Sequence, residues 1–118
     1  MQRMVLMAEA DMSWGEICRG RLVACGFTVT TAIDGLTCLT RLETYWPDVL
    51  VVDLDMLWGG AEGVLGWVRE QPARRTPPVV IVTGRTSAEA MSARTDVPSS
   101  HCLQKPFHPD LLLGLCTG

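Results

Sequence analysis

Two short runs of consecutive apolar, mostly β-branched residues, Val49-Leu50-Val51-Val52 and Val79-Val80-Ile81-Val82, constrain this chain more than any other feature. Unbroken rather than alternating apolarity marks a strand buried on both faces, as in a parallel sheet covered by helices on each side. Val5-Leu6-Met7-Ala8, the β-branched stretch Phe27–Ala32 and the brief Cys102-Leu103-Gln104 complete a set of five strand-like segments. Helical patterns stand between them. Ser13-x-x-Glu16 reads as a capping box for a helix carrying Trp14, Ile17, Cys18, Leu22 and Cys25, which Gly26 is placed to end. Asp34-Gly35 opens a second helix with Leu36, Leu39 and Leu42 on one stripe, stopped before Pro47. A third carries Val64, Leu65, Trp67 and Val68, and a weaker fourth opens at Ser87. The last has Pro109 in its first turn, followed by Leu111, Leu112 and Leu115. Strand and helix alternating five times predict an α/β fold with an open, doubly wound parallel sheet.

A length of 118 residues, 47% of them hydrophobic and 19% charged, suits one well-buried domain spanning 1–118. A net charge of -3 argues against a nucleic-acid surface, and no apolar stretch approaches the length of a membrane span. The N-terminal apolar run is too brief for a secretory signal, so a cytoplasmic protein is expected. Cys18, Cys25, Cys38, Cys102 and Cys116 form no C-x-x-C pair and read as small buried hydrophobes in a reducing compartment. Trp14, Trp46 and Trp67 read as packing residues.

Ligands of open parallel sheets bind at the carboxyl ends of the strands. The residues just past the apolar runs are Glu9, Asp53, Thr83 and Lys105, all polar. Crowded carboxylates call for a cation, and an all-oxygen donor set suits Mg²⁺. A carboxylate beside a metal can attack phosphorus, while a lysine ammonium and a threonine hydroxyl can hold the phosphoryl oxygens. The site reads as a phosphoryl acceptor.

The stretches Val5-Leu6-Met7-Ala8-Glu9, Cys25-Gly26-Phe27, Ala32-Ile33-Asp34-Gly35, Pro47–Met56, Pro78–Gly84 and Lys105-Pro106-Phe107 together resemble the response-regulator receiver family of two-component signalling. The resemblance runs from about residue 4 to about residue 116, and the spacings, 30 residues from Asp53 to Thr83 and 22 from Thr83 to Lys105, fit that family. It implies a flavodoxin-like (βα)5 three-layer sandwich with strand order 2-1-3-4-5. It also implies that Asp53 accepts the phosphoryl group from a histidine kinase or phosphotransfer protein, that Thr83 bonds one phosphoryl oxygen and that Lys105 neutralises another. Glu9, Asp53 and the backbone carbonyl of Asp55 would hold Mg²⁺, and the Lys105-Pro106 peptide would be cis. Output through the region 87–116, to a second copy or an output module, is a further implication.

Three departures stand out. The family usually has two adjacent acids after the first strand; here the pair is Glu9 and Ala10, which leaves Asp11 or the side chain of Asp55 to supply a further ligand. Cys102 stands where the family often has a switch aromatic, three residues before the lysine, and His101 beside it reads as an exposed loop residue. Leu57 replaces a common proline, and the run 58–63 reads as a loop about two residues longer than usual. Trp58 there could face a partner, cover the acid pocket or pack on the neighbouring helix. His108, before Pro109, reads as a residue at a helix start.

The expected function is therefore a non-enzymatic signalling receiver that changes conformation on phosphorylation of Asp53. The other class open to the sequence is a pseudo-receiver, a protein-binding or dimerisation module that works without phosphorylation; Ala10 and Cys102 favour it. A nucleotide-binding enzyme lacks its loop, because Glu9-Ala10-Asp11 follows the first strand in place of a glycine-rich motif.

Overall fold

A computed structural model describes residues 3–57 and 60–118. Five strands and five α-helices alternate along it. The strands are β1 (Met4–Ala8), β2 (Thr28–Ala32), β3 (Val49–Asp53), β4 (Val79–Thr83) and β5 (Cys102–Gln104). The helices are α1 (Met12–Ala24), α2 (Gly35–Thr44), α3 (Gly60–Arg69), α4 (Ala88–Thr95) and α5 (Pro109–Thr117), with a short 3-10 turn at Ser99–His101. All strand pairings are parallel and the order is β2-β1-β3-β4-β5, the flavodoxin-like arrangement expected from the resemblance. The order reverses between β1 and β3, so both strands lead toward the switch-point crevice.

The apolar runs split by parity across the sheet. Leu6, Ala8, Leu50, Val52 and Ile81 join Cys38 and Leu42 of α2, Val64, Leu65 and Val68 of α3, and Met91 of α4. Val5, Met7, Val49, Val51, Val80 and Val82 face the other way, onto Cys18 and Leu22 of α1 and Leu112 and Cys116 of α5. Every residue of β3 is buried, the expected outcome for a central strand between two helical layers. β2 lies at one edge, where Thr28 is exposed and Val29, Thr30 and Thr31 are half-buried.

Several local expectations change. Asp11, not Ser13, caps α1: its Oδ1 accepts from the Trp14 amide at 3.0 Å, so the helix begins at Met12. Asp and Ser are comparable caps, and the one nearer the strand end starts the helix first. The buried face of α1 is Gly15, Cys18 and Leu22, leaving Ile17 exposed. Cys25 is exposed at the helix end, where its Sγ accepts from Arg21 Nη1, so only the other four cysteines are buried. Gly26 follows with φ at +94°, a left-handed turn that glycine adopts without strain.

In α2 the buried stripe is Gly35, Cys38 and Leu42, and Leu36 stands 64% exposed. Gly60–Gly63 belong to α3 rather than to a lengthened loop; Trp58 lies outside the described residues. His101 is half-buried in the 3-10 turn, with its ring Nδ1 3.1 Å from Ser100 Oγ, rather than exposed. Trp14 meets Phe107 edge-on and Trp46 packs near Trp67, as packing residues should. No helix among the described residues is long and apolar enough to cross a membrane.

Candidate functional site at the strand ends

Backbone pairing carries the four polar strand-end residues to one edge of the sheet. The Glu9 amide bonds to Ala32 O at 2.9 Å as β1 ends. Asp53 is the last residue of β3 and pairs with Val82. Thr83 closes β4, and the Lys105 amide donates to Thr83 O at 2.8 Å just past β5. The Lys105-Pro106 peptide is cis.

Asp53 is 1% exposed, and every hydrogen bond to it comes from a group past a strand end. Its Oδ1 accepts from the Asp55 amide at 2.8 Å, and its Oδ2 from the Ala10 amide at 3.1 Å and from Lys105 Nζ at 3.3 Å. Lys105 Nζ also donates to Glu9 Oε2 at 2.7 Å, and the same oxygen accepts from the Asp11 amide at 2.9 Å. One ammonium thus bridges two buried carboxyl groups. α1 lies close behind them: a Cβ added at Gly15 would sit 3.4 Å from Glu9 Cγ, a tight contact.

The electrostatics separate the two acids. Burial, and then the hydrogen bond with Asp53, push the Glu9 carboxyl up to about 7, against the pull of Lys105 and the Asp11 amide. Burial pushes Asp53 upward too, but the Glu9 hydrogen bond, the Asp55 and Ala10 amides and Lys105 together hold it below the usual carboxylate range. Lys105 is driven down by burial and, more strongly, up by its two acid partners, so it stays charged. Of two neighbouring acids, the one with more donors keeps the negative charge. That one is Asp53.

Two residues named from the sequence point elsewhere. The Asp11 side chain is engaged by the Trp14 amide at the start of α1. The Asp55 carboxylate turns to β4, where Thr83 Oγ1 donates to both its oxygens at 3.1 Å and the Gly84 amide donates to Oδ2 at 3.1 Å. Arg85 Nε lies 3.6 Å from its Oδ1. Among the described residues no three His, Cys, Asp or Glu side chains are grouped to hold a metal. The donor chemistry nonetheless suits Mg²⁺. Two carboxyl groups already converge on a cation, and this ion is usually held by one or two carboxylates and keeps several waters.

Sequence reasoning missed the amide of Ala10, which carries no sequence signal because every residue but proline has one. It also missed Arg85, whose place two residues after Thr83 was legible.

A parallel α/β sheet that gathers an acid pair, a hydroxyl and a lysine at its carboxyl edge defines a receiver-type signalling module of the response-regulator class. The chain belongs to the response regulator receiver domain family, whose model matches residues 5–116. It is similar in structure to the chemotaxis response regulator CheY4 of Vibrio cholerae, with 26% identity, a TM-score of 0.86, and coverage of 99% of this chain and 98% of that one. The receiver domain of the Francisella response regulator 1452 is 28% identical with a TM-score of 0.84, over 98% of this chain and 94% of that one. In sequence it is 31% identical over 120 residues to the circadian input-output histidine kinase CikA of Synechococcus elongatus, covering 95% of this chain. The match spans 15% of that kinase's length.

Proposed function

We propose that this receiver accepts a phosphoryl group on Asp53 from the phosphohistidine of a histidine kinase or phosphotransfer protein and relays it as a conformational change. The observation that carries the reading is the state of Asp53: a buried carboxylate kept ionised by two backbone amides and Lys105, one residue pairing away from Thr83. An Asp53 carboxylate oxygen attacks phosphorus, the phosphorus–nitrogen bond breaks, and the imidazole leaves with that electron pair and takes up a proton. Lys105 neutralises charge on the transferred group, and Thr83 turns its hydroxyl from Asp55 to one of that group's oxygens. Glu9, Asp53 and the Asp55 carbonyl would hold Mg²⁺, which supplies charge neutralisation at the phosphoryl oxygens. The chain acts as a signalling module over its whole length of 118 residues.

The output face runs through α4, β5 and α5, about residues 87–116. Cys102, 5% exposed, fills the place of a switch aromatic, its Sγ 3.5 Å from Pro98 O and its side chain in the core layer that holds Met91. A group that small leaves the coupling to Thr83 to the backbone of the β4–α4 loop.

The experiment is beryllofluoride binding with Mg²⁺ followed by NMR, with Asp53→Asn as control. Saturable shifts at Asp53, Thr83 and Lys105, absent in the control, are the expected result. No binding at millimolar Mg²⁺ would transfer the chain to the pseudo-receiver reading, which the missing carboxylate at Ala10 favours. Its surface would then be the functional part.

A further inference from the structure

The Asp55 carboxylate is held by the groups an anion would use. Thr83 is fully buried and its hydroxyl has a single proton. That proton is shared between Asp55 Oδ1 and Oδ2, both at 3.1 Å, while a lone pair of the same oxygen accepts from the Arg85 amide at 3.2 Å. The only proton of the hydroxyl is therefore spent on Asp55. The next amide along, Gly84, donates to Asp55 Oδ2, and the exposed side chain of Arg85 lies 3.6 Å from Oδ1. Three successive residues at the end of β4 thus wrap one carboxylate, and that carboxylate belongs to the residue two past Asp53.

We infer that the Asp55 side chain is a built-in stand-in for the phosphoryl group, a latch that holds Thr83 and the β4–α4 loop in the unphosphorylated arrangement and sets the threshold for leaving it. This rests on the acceptor reading of Asp53. Thr83 cannot donate to a phosphoryl oxygen and to Asp55 at once, because it has one O–H. A phosphoryl group on Asp53 brings close to two negative charges beside a fixed carboxylate. Like charges on residues two apart repel, so the phosphoryl group both accepts the Thr83 hydrogen bond and disfavours its competitor. Asp55 then keeps the Gly84 amide and the exposed side chain of Arg85 as partners. The latch makes the competent arrangement a minor fraction of the resting protein, and apparent affinity for any phosphoryl mimic falls by that fraction.

Asp55→Ala removes the latch and leaves the backbone carbonyl and amide of residue 55 in place. Two readings test it. In the resting protein, without any added ligand, the Gly84 amide proton should shift upfield in the variant as its carboxylate acceptor is lost. With beryllofluoride as the probe in millimolar Mg²⁺, Asp55→Ala should bind about tenfold more tightly than the wild type, the worth of one released charge-assisted hydrogen bond. The gain should disappear in a Thr83→Ala background, since the competition is for that hydroxyl.

A gain of equal size with and without the Thr83 hydroxyl would overturn the latch and leave only relief of charge repulsion. An unchanged Gly84 amide, or binding no tighter than wild type, would also overturn it while the acceptor reading stands. Absence of binding in wild type and variants alike would bring down the acceptor reading and the latch with it.

Discussion

Replacing Glu9 by glutamine tests the electrostatic account of the site without invoking any ligand. Glu9 is 6% exposed, and its carboxyl, ordinarily at 4.5, is pushed up to about 7, first by burial and then by its hydrogen bond with Asp53. Between those two values the unfolded chain has released the proton and the native protein has kept it. The native state then binds more protons, so stability is full below pH 4.5 and falls as pH rises through 7. A displacement of that size is worth about 3 kcal/mol. Glutamine cannot ionise, yet its oxygen can take the place of Oε2, which accepts from both Lys105 Nζ and the Asp11 amide.

In urea unfolding followed by tryptophan fluorescence in EDTA, the Glu9→Gln variant and the wild type should match near pH 4.5. By pH 8 the variant should be the more stable by up to about 3 kcal/mol. Asp53, held below its ordinary range, contributes stability that is lost only as the pH falls under that range, outside this window. A variant less stable than wild type at pH 8 would contradict this cost of ionising Glu9. The Lys105–Glu9 ion pair would then outweigh the cost of burying the charge.

Ala10 is exposed, so Ala10→Asp can add a carboxylate at the pocket mouth without disturbing the amide that bonds Asp53; Mg²⁺ titration should show a gain on the order of tenfold, and no gain would mean the native donor set is already complete. Leu50→Ala, at a fully buried position on β3, should cost about 2–5 kcal/mol in chemical denaturation; a loss below 1 kcal/mol would place that strand outside the core. Iodoacetamide should label Cys25 alone in the folded protein. Burial shields the other four thiols and pushes Cys18 and Cys116 up to about 11 and Cys38 up to about 12, so mass spectrometry showing early modification of Cys38 would contradict the packing.

The fold was legible because its strongest signals are local and repeated. Val49–Val52 and Val79–Val82 could only be strands buried on both faces, and the helical spacing between strands left a parallel sheet as the consistent assembly. The candidate site was legible by position: once the strands are known, the first polar residue past each is known too. Helix faces were less so. Leu36 looked like core and Cys38 proved to be, because apolar residues three or four apart define two neighbouring stripes and the choice between them depends on how the helix is rolled onto the sheet. Ser13 lost the cap of α1 to Asp11 for a similar reason, since both have the chemistry and only the folded backbone ranks them.

The sequence alone decided which residue types reach the carboxyl edge of the sheet: two acids, a hydroxyl and a lysine, because strand ends follow from apolar runs. The tertiary structure alone decided how their charges and protons are shared. Lys105 bridges Glu9 and Asp53 across 96 and 52 residues of chain, the Ala10 amide compensates nothing in its own side chain yet ties Asp53 in place, and Asp55 turns away from its neighbour to engage Thr83. Hydrogen bonds are set by ångström-scale distance and direction, which are properties of packed strands rather than of sequence order.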